Sequence, residues 1–155
     1  MIPVFDRKKV KGLDPIADAF AGTVTSDVVN MEGHAYACFT IYKGVGATGT
    51  STITVLACSD TTPSATSAVA FYYRACTTGD TWGALTAATT AGFTTTAGSS
   101  QMYEIWVDAK ELGTTGYGYV QLSALEVAND PVLGGILIEL VEPRYADAIP
   151  ATSIT

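Results

Sequence analysis

The run Ala35-Tyr36-Ala37-Cys38-Phe39-Thr40-Ile41-Tyr42 alternates strictly, with Ala35, Ala37, Phe39 and Ile41 on one face and Tyr36, Cys38, Thr40 and Tyr42 on the other. A period of two places successive side chains on opposite faces of a strand, so this segment predicts a half-buried β-strand. Ile53, Val55 and Ala57 alternate with Thr52 and Thr54 in the same way, and Tyr103, Ile105 and Val107 oppose Glu104 and Asp108. Ile136 to Val141 is apolar on both faces apart from Glu139, the pattern of a central or interface strand.

Working outward, strands are expected at Thr23–Val29, Ala35–Tyr42, Thr52–Cys58, Val69–Cys76, Met102–Val107, Tyr119–Val127 and Ile136–Val141. Turn chemistry separates them: glycines in Gly44–Gly49, Asp60 and Pro63, Gly79-Asp80, and Asn129-Asp130-Pro131. Seven or eight short strands without a convincing helix point to an all-β protein, an antiparallel β-sandwich with the jelly roll among its forms. Ala84–Ser100, built of Thr, Ala and Gly around Phe93, reads either as a weak edge strand or as a long loop. Asp108–Leu112 reads as a polar turn. Pro3 and Pro15 interrupt the N-terminal residues, so the expected organisation is an extended arm over 1–21, a sandwich over 22–142 and a tail over 143–155. Deleting Met1 to Asp14 of the arm, or the tail from Pro143, is then expected to leave a folded core.

A chain of 155 residues can bury a core without metal or disulfide staples. Charged residues are only 15% of it, against roughly 25% in an average domain, so part of the surface is expected to be covered by partners or coated with Thr and Ser. The net charge of −7 makes nucleic acid an unfavourable partner. That charge is uneven. Arg7, Lys8, Lys9 and Lys11 against Asp6 give the first twelve residues +3, and the other four cations against fourteen carboxylates leave −10. A basic N-terminus on an acidic body suits an acidic protein surface. Arg7, Lys8, Lys9 and Lys11, with Arg144 and Tyr145 in the tail, are the candidate partner-binding residues.

No apolar stretch follows the basic residues as a secretory leader requires, and no run approaches the roughly 18 apolar residues of a membrane span. The expectation is a soluble protein made in the cytoplasm, with no membrane partner.

Catalytic chemistry finds few residues to use. Between Lys43 and Glu104 the charged residues are Asp60, Arg74 and Asp80, and the one histidine, His34, has no GxSxG elbow to accompany it. Gly44, Gly46 and Gly49 lack the Lys-Ser/Thr pair of a phosphate loop. Cys38, Cys58 and Cys76 have neither knuckle nor redox-pair spacing, so no metal or other cofactor is expected, and each falls in a different predicted strand as a buried thiol. An odd number of thiols leaves one for a cross-link between subunits in an oxidising medium. The chain reads as a binding or structural module rather than an enzyme. Trp82, Trp106 and eight tyrosines allow stacking on sugar rings, Trp82 being the better exposed candidate and Trp106 favouring core or interface.

Gly116–Leu122, Val127–Val132 and Glu142–Ala146 together resemble a family of small structural proteins of tailed bacteriophages. Tyr42–Thr50, Thr77–Ala84 and Ala91–Gly98 extend the resemblance over most of the chain from about Thr25. It implies a virion protein, a decoration or cement protein on the capsid exterior. Its partners would be the major capsid protein and its own copies in a homotrimer, at capsomer junctions, where it stabilises the shell against internal DNA pressure. The cysteines depart from that pattern and raise cross-linking through Cys38, Cys58 or Cys76. A reading of another class is a carbohydrate- or receptor-binding module of a phage fibre or baseplate, with Trp82 and nearby tyrosines at the ligand.

Overall fold

The alternating segments fold as their period demands. A computed structural model describes residues 7–45 and 47–144. In chain order the strands are β1 (Arg7–Ile16), β2 (Thr23–Thr25), β3 (Val29–Asn30), β4 (His34–Lys43), β5 (Thr50–Cys58), β6 (Thr66–Val69) and β7 (Phe71–Cys76). They continue with β8 (Thr86–Ala88), β9 (Phe93–Thr94), β10 (Met102–Asp108), the single-turn helix α1 (Ala109–Leu112), β11 (Tyr119–Ala128) and β12 (Gly134–Pro143). The fold is an antiparallel β-sandwich of two six-stranded sheets. Sheet A runs β1-β12-β4-β10-β7-β8; sheet B runs β2-β11-β5-β6, with β3 on β11 and β9 on β5.

Most connections change sheet, so apart from β5-β6 and β7-β8 the strand pairs join segments that are not consecutive in the chain. The core lies between the sheets. Phe39 and Ile41 of β4, Ile105 and Val107 of β10, and Ile138 and Leu140 of β12 meet Ile53 and Val55 of β5 and Val120 and Leu122 of β11, all fully buried. Each such side chain contributes roughly 1.5–3 kcal/mol by leaving water.

Four expectations change. The stretch read as an arm over 1–21 is, from Arg7 to Ile16, the outermost strand of sheet A, paired in antiparallel register with β12. Val10 is buried against the core, and Ala19 and Phe20 are buried as well, so the sandwich begins well before residue 22. Register shifts around Gly12 and Pro15 mark the bulges that hid the strand's period. Val69–Cys76 is two strands: Val69 pairs with Val55 in sheet B, whereas Phe71 pairs with Ala88 in sheet A. The chain turns the sandwich corner at Ala70. Thr23–Val29 likewise divides into β2 and β3, both on β11. Asp108–Leu112 is a helical turn, capped where the Asp108 side chain accepts from the Lys110 backbone N–H.

Ala84–Ser100 contributes β8 and β9, held by Phe93. Its ring stacks on Tyr73 at a centroid distance of 3.8 Å and an interplanar angle of 1°. The central position read for Ile136–Val141 is observed, since β12 lies between β1 and β4. Of the tail over 143–155, Pro143 closes β12 and Arg144 follows it; Tyr145 and the rest lie outside the described residues, as do Met1–Asp6.

Candidate functional site

The outer face of sheet A, turned away from sheet B, gathers most of the chemistry. Strand alternation and register place its side chains in rows. Lys9, Glu139, Cys38, Trp106 and Tyr72 stand opposite one another on β1, β12, β4, β10 and β7. The next row is Lys11, Leu137, Thr40, Glu104 and Arg74, and on the other side Arg7, Val141, Tyr36 and Asp108. Over them lies a cleft of about 1290 Å³. Sheet B instead shows threonine on its outer face, at Thr23 and Thr25 of β2 and Thr52 and Thr54 of β5.

Three ion pairs line the cleft: Arg7 to Glu139 at 3.2 Å, Arg74 to Glu104 at 2.6 Å, and Lys110 to Asp108 at 2.8 Å. Glu104 is the hub. Its Oε2 accepts from Arg74 Nε at 2.7 Å and from Trp106 Nε1 at 3.3 Å, while the Arg74 guanidinium lies 4.6 Å from the centre of the Trp82 ring. At Asp108, burial alone would raise the carboxyl pKa, but hydrogen bonds from the Lys110 side chain and backbone, helped by the Lys110 and Arg144 charges, hold it below its usual value.

The basic residues named from sequence divide by face. Arg7, Lys9 and Lys11 point to the outer side of β1, and Lys8 shares the parity of Val10 on the inner side. Lys11 pairs with Asp14 at 2.9 Å, and both side chains are exposed. Arg144 is exposed at the Asp108 end of the cleft, its backbone N–H bonded to Gly33 O at 2.6 Å. Tyr145 lies outside the described residues.

Beyond the charged rows the same face becomes apolar. Tyr42, Met102, Leu133 and Leu137 line a second hollow of about 490 Å³ beside Lys11 and Asp14, with Tyr42 57% exposed.

All three cysteines are buried and free. Burial, reinforced by the Glu104 and Glu139 carboxylates, pushes the Cys38 thiol up to about 12, and burial pushes Cys58 up to about 11. A thiol so placed is a poor nucleophile, and Cys38, though it lies on the floor of the cleft, is only 3% exposed. The cross-link read from an odd thiol count therefore meets a packing obstacle at Cys38, Cys58 and Cys76 alike.

Sequence reasoning preferred Trp82 as the free aromatic platform and Trp106 as core or interface. Both are half-buried: Arg74 lies over one face of Trp82, and Trp106 stands in the cleft on the outer face of sheet A rather than in the core between the sheets. The signal was present, because Trp106 has the parity of Glu104 and Asp108. His34 is buried at the edge of the sandwich, with no hydrogen-bond partner for Nδ1 among the described residues. Among those residues no group of three or more His, Cys, Asp or Glu stands close enough to hold a metal ion, and no helix is long and apolar enough to cross a membrane.

No protein-family model matches the chain, and no curated protein matches it. Among solved structures it is similar to the SPBc2 prophage-derived protein YomS, with a TM-score of 0.48 and 12% identity over 88% of this chain and 94% of that one. A structure of infectious bursal disease virus strain Gx follows with a TM-score of 0.26 and 13% identity, over 88% of this chain and 42% of that one. A structure of strain Gt gives a TM-score of 0.22 and 12% identity, over 96% and 44%.

Proposed function

We propose that this chain is a virion structural protein that decorates the outside of a tailed-phage capsid. On this reading it binds the major capsid protein at capsomer junctions, assembles with its own copies as a homotrimer, and works by binding rather than catalysis. The observation that carries the reading is the row Arg7, Lys9 and Lys11 along the outermost strand of a chain whose remaining charge is strongly negative. An open strand edge offers unpaired backbone groups, and cations on that edge discourage pairing between copies of itself while attracting an acidic surface. The ion pairs at Arg7 and Lys11 are exposed on their basic sides, where water and salt screen them, so exchanging them for a partner's carboxylates sacrifices little. The resemblance of the Gly116–Leu122, Val127–Val132 and Glu142–Ala146 segments to phage structural proteins supports the choice of partner.

The test is co-sedimentation of the purified protein with capsids lacking it, across a salt series. The expected result is binding that weakens with salt and falls at least about tenfold when Lys9→Glu and Lys11→Glu are combined. Binding that neither salt nor the double reversal moves would overturn the reading. Light scattering of the free protein tests the trimer separately.

A further inference from the structure

We propose that the cleft over Trp106 on the outer face of sheet A is a binding site for a neutral, linear oligosaccharide. The inference does not depend on the capsid reading, and of that reading's basic row it shares Arg7 alone.

A sugar ring has an apolar C–H face and a rim of hydroxyl groups, so its site needs an aromatic platform flanked by donors and acceptors. Tyr72 and Trp106 stand directly opposite each other on β7 and β10, and Tyr72 is 51% exposed. Around them each cation already has its carboxylate: Arg74 with Glu104, Arg7 with Glu139, Lys110 with Asp108. An anion entering the cleft meets a carboxylate beside every cation, and a cation meets a cationic group beside each paired carboxylate, the exposed Glu142 being the one lining carboxylate outside these pairs. A hydroxyl both donates and accepts, so it can satisfy both members of a guanidinium–carboxylate pair.

The platform is also held before any ligand arrives. Trp82 and Glu104 fix Arg74 from two sides, and Glu104 accepts from Trp106 Nε1, which sets the indole orientation. Fixing these side chains in advance reduces the ordering penalty of binding. The row from Tyr72 through Trp106 and Cys38 to Glu139 crosses four strands, roughly 14 Å at about 4.8 Å per step. That length suits a chain of sugars rather than one ring.

Full-length protein titrated with cellohexaose, chitohexaose and maltohexaose, followed by tryptophan fluorescence and calorimetry, tests the site. At least one sugar should give a saturable response at millimolar concentration or below. Tyr72→Ala should weaken it about tenfold or more, and Trp106→Ala should abolish it. Glu104→Gln keeps the side-chain shape, should also weaken binding, and covers the case in which Trp106→Ala fails to fold. No saturable response to any of the three sugars overturns the inference, as does binding that Tyr72→Ala and Glu104→Gln leave intact. If light scattering instead shows self-association that Tyr72→Ala removes, with no sugar response, the face is a protein interface and the inference fails.

Discussion

Lys43 Nζ donates to the backbone carbonyl of Thr96 at 2.8 Å from within the core end of β4, where the lysine is 1% exposed. The same ammonium donates to Gly49 O at 2.9 Å. One buried cation thus ties the glycine-rich connection after β4 to the segment after β9. A polar cluster continues from there: Thr96 N donates to the Tyr103 hydroxyl, which donates to Gln101 Oε1 at 2.9 Å. Lys43→Met removes the donor and strands two carbonyls, and is expected to destabilise the fold by roughly 2–4 kcal/mol. Burial lowers the Lys43 pKa below 10.5, so just under that pH the unfolded chain binds more protons than the folded one. Wild-type stability should therefore rise as pH climbs through that window, and the rise should disappear in Lys43→Met. Denaturant midpoints across the pH series measure both effects; an unchanged midpoint would remove the role assigned to Lys43.

His34 gives a second pH signature, at the acid end. Burial lowers its pKa below 6.5, with the nearby Lys8 charge acting in the same direction and a backbone hydrogen bond to Glu32 opposing. Below pH 6.5 the unfolded state then binds the extra proton, so stability is lost as pH falls from 6.5 toward the folded pKa. His34→Leu should flatten that part of the stability curve. Parallel curves for the two proteins would show that another group sets the slope.

The strands were legible where alternation was unbroken. Ala35–Tyr42 and Tyr103–Val107 carried their own inward and outward faces, and extending the first by one residue puts Lys43 inward, which is how its burial could have been read. The turn of the corner at Ala70 was not legible, because nothing local distinguishes a strand that continues from one that changes sheet. β1 was hidden by Gly12 and Pro15, whose bulges break the period, and by lysines that are solvated at an edge but suggest a loose terminus. For the cleft, the parity of Trp106, Glu104 and Asp108 was visible. The meeting of Arg74 with Glu104, thirty residues apart, depends on the register of β7 against β10, which only the folded sheet supplies.

Gly92 is a position where only glycine fits. Its φ of +76° lies in the left-handed region, its N–H bonds to Thr89 O at 2.9 Å, and an added Cβ would run into the carbonyl oxygen of Ile53 on β5. Gly92→Ala must displace β9, and with it the Phe93 ring stacked on Tyr73. A loss on the order of 3 kcal/mol or more is expected from the combined strain and lost packing. Thermal unfolding measures it, and a variant melting within a degree or two of wild type would show that β9 yields at little cost.

The cysteines can be tested by reactivity. With Cys38 and Cys58 buried and their thiols raised to about 12 and 11, native protein at pH 8 should react negligibly with a thiol reagent, while denatured protein should titrate three thiols. Rapid labelling of one thiol in the native state would reopen the cross-linking route.

Deleting residues 1–16 separates a true arm from an edge strand. If the segment were an arm, the truncated chain would keep its stability. With β1 in sheet A, the deletion strips Val10 from Ile138, leaves Arg7 off Glu139, and exposes the backbone edge of β12, a strand that is apolar on both faces around Ile136–Val141. A long apolar edge pairs readily with other chains. The truncated protein should therefore melt well below the full chain and aggregate as it does so, whereas Lys9→Glu with Lys11→Glu should leave the melting temperature nearly unchanged. Comparing the two variants by calorimetry and light scattering separates the strand's structural role from its charge: a deletion variant as stable and monodisperse as the double reversal would return Arg7–Ile16 to the status of an arm.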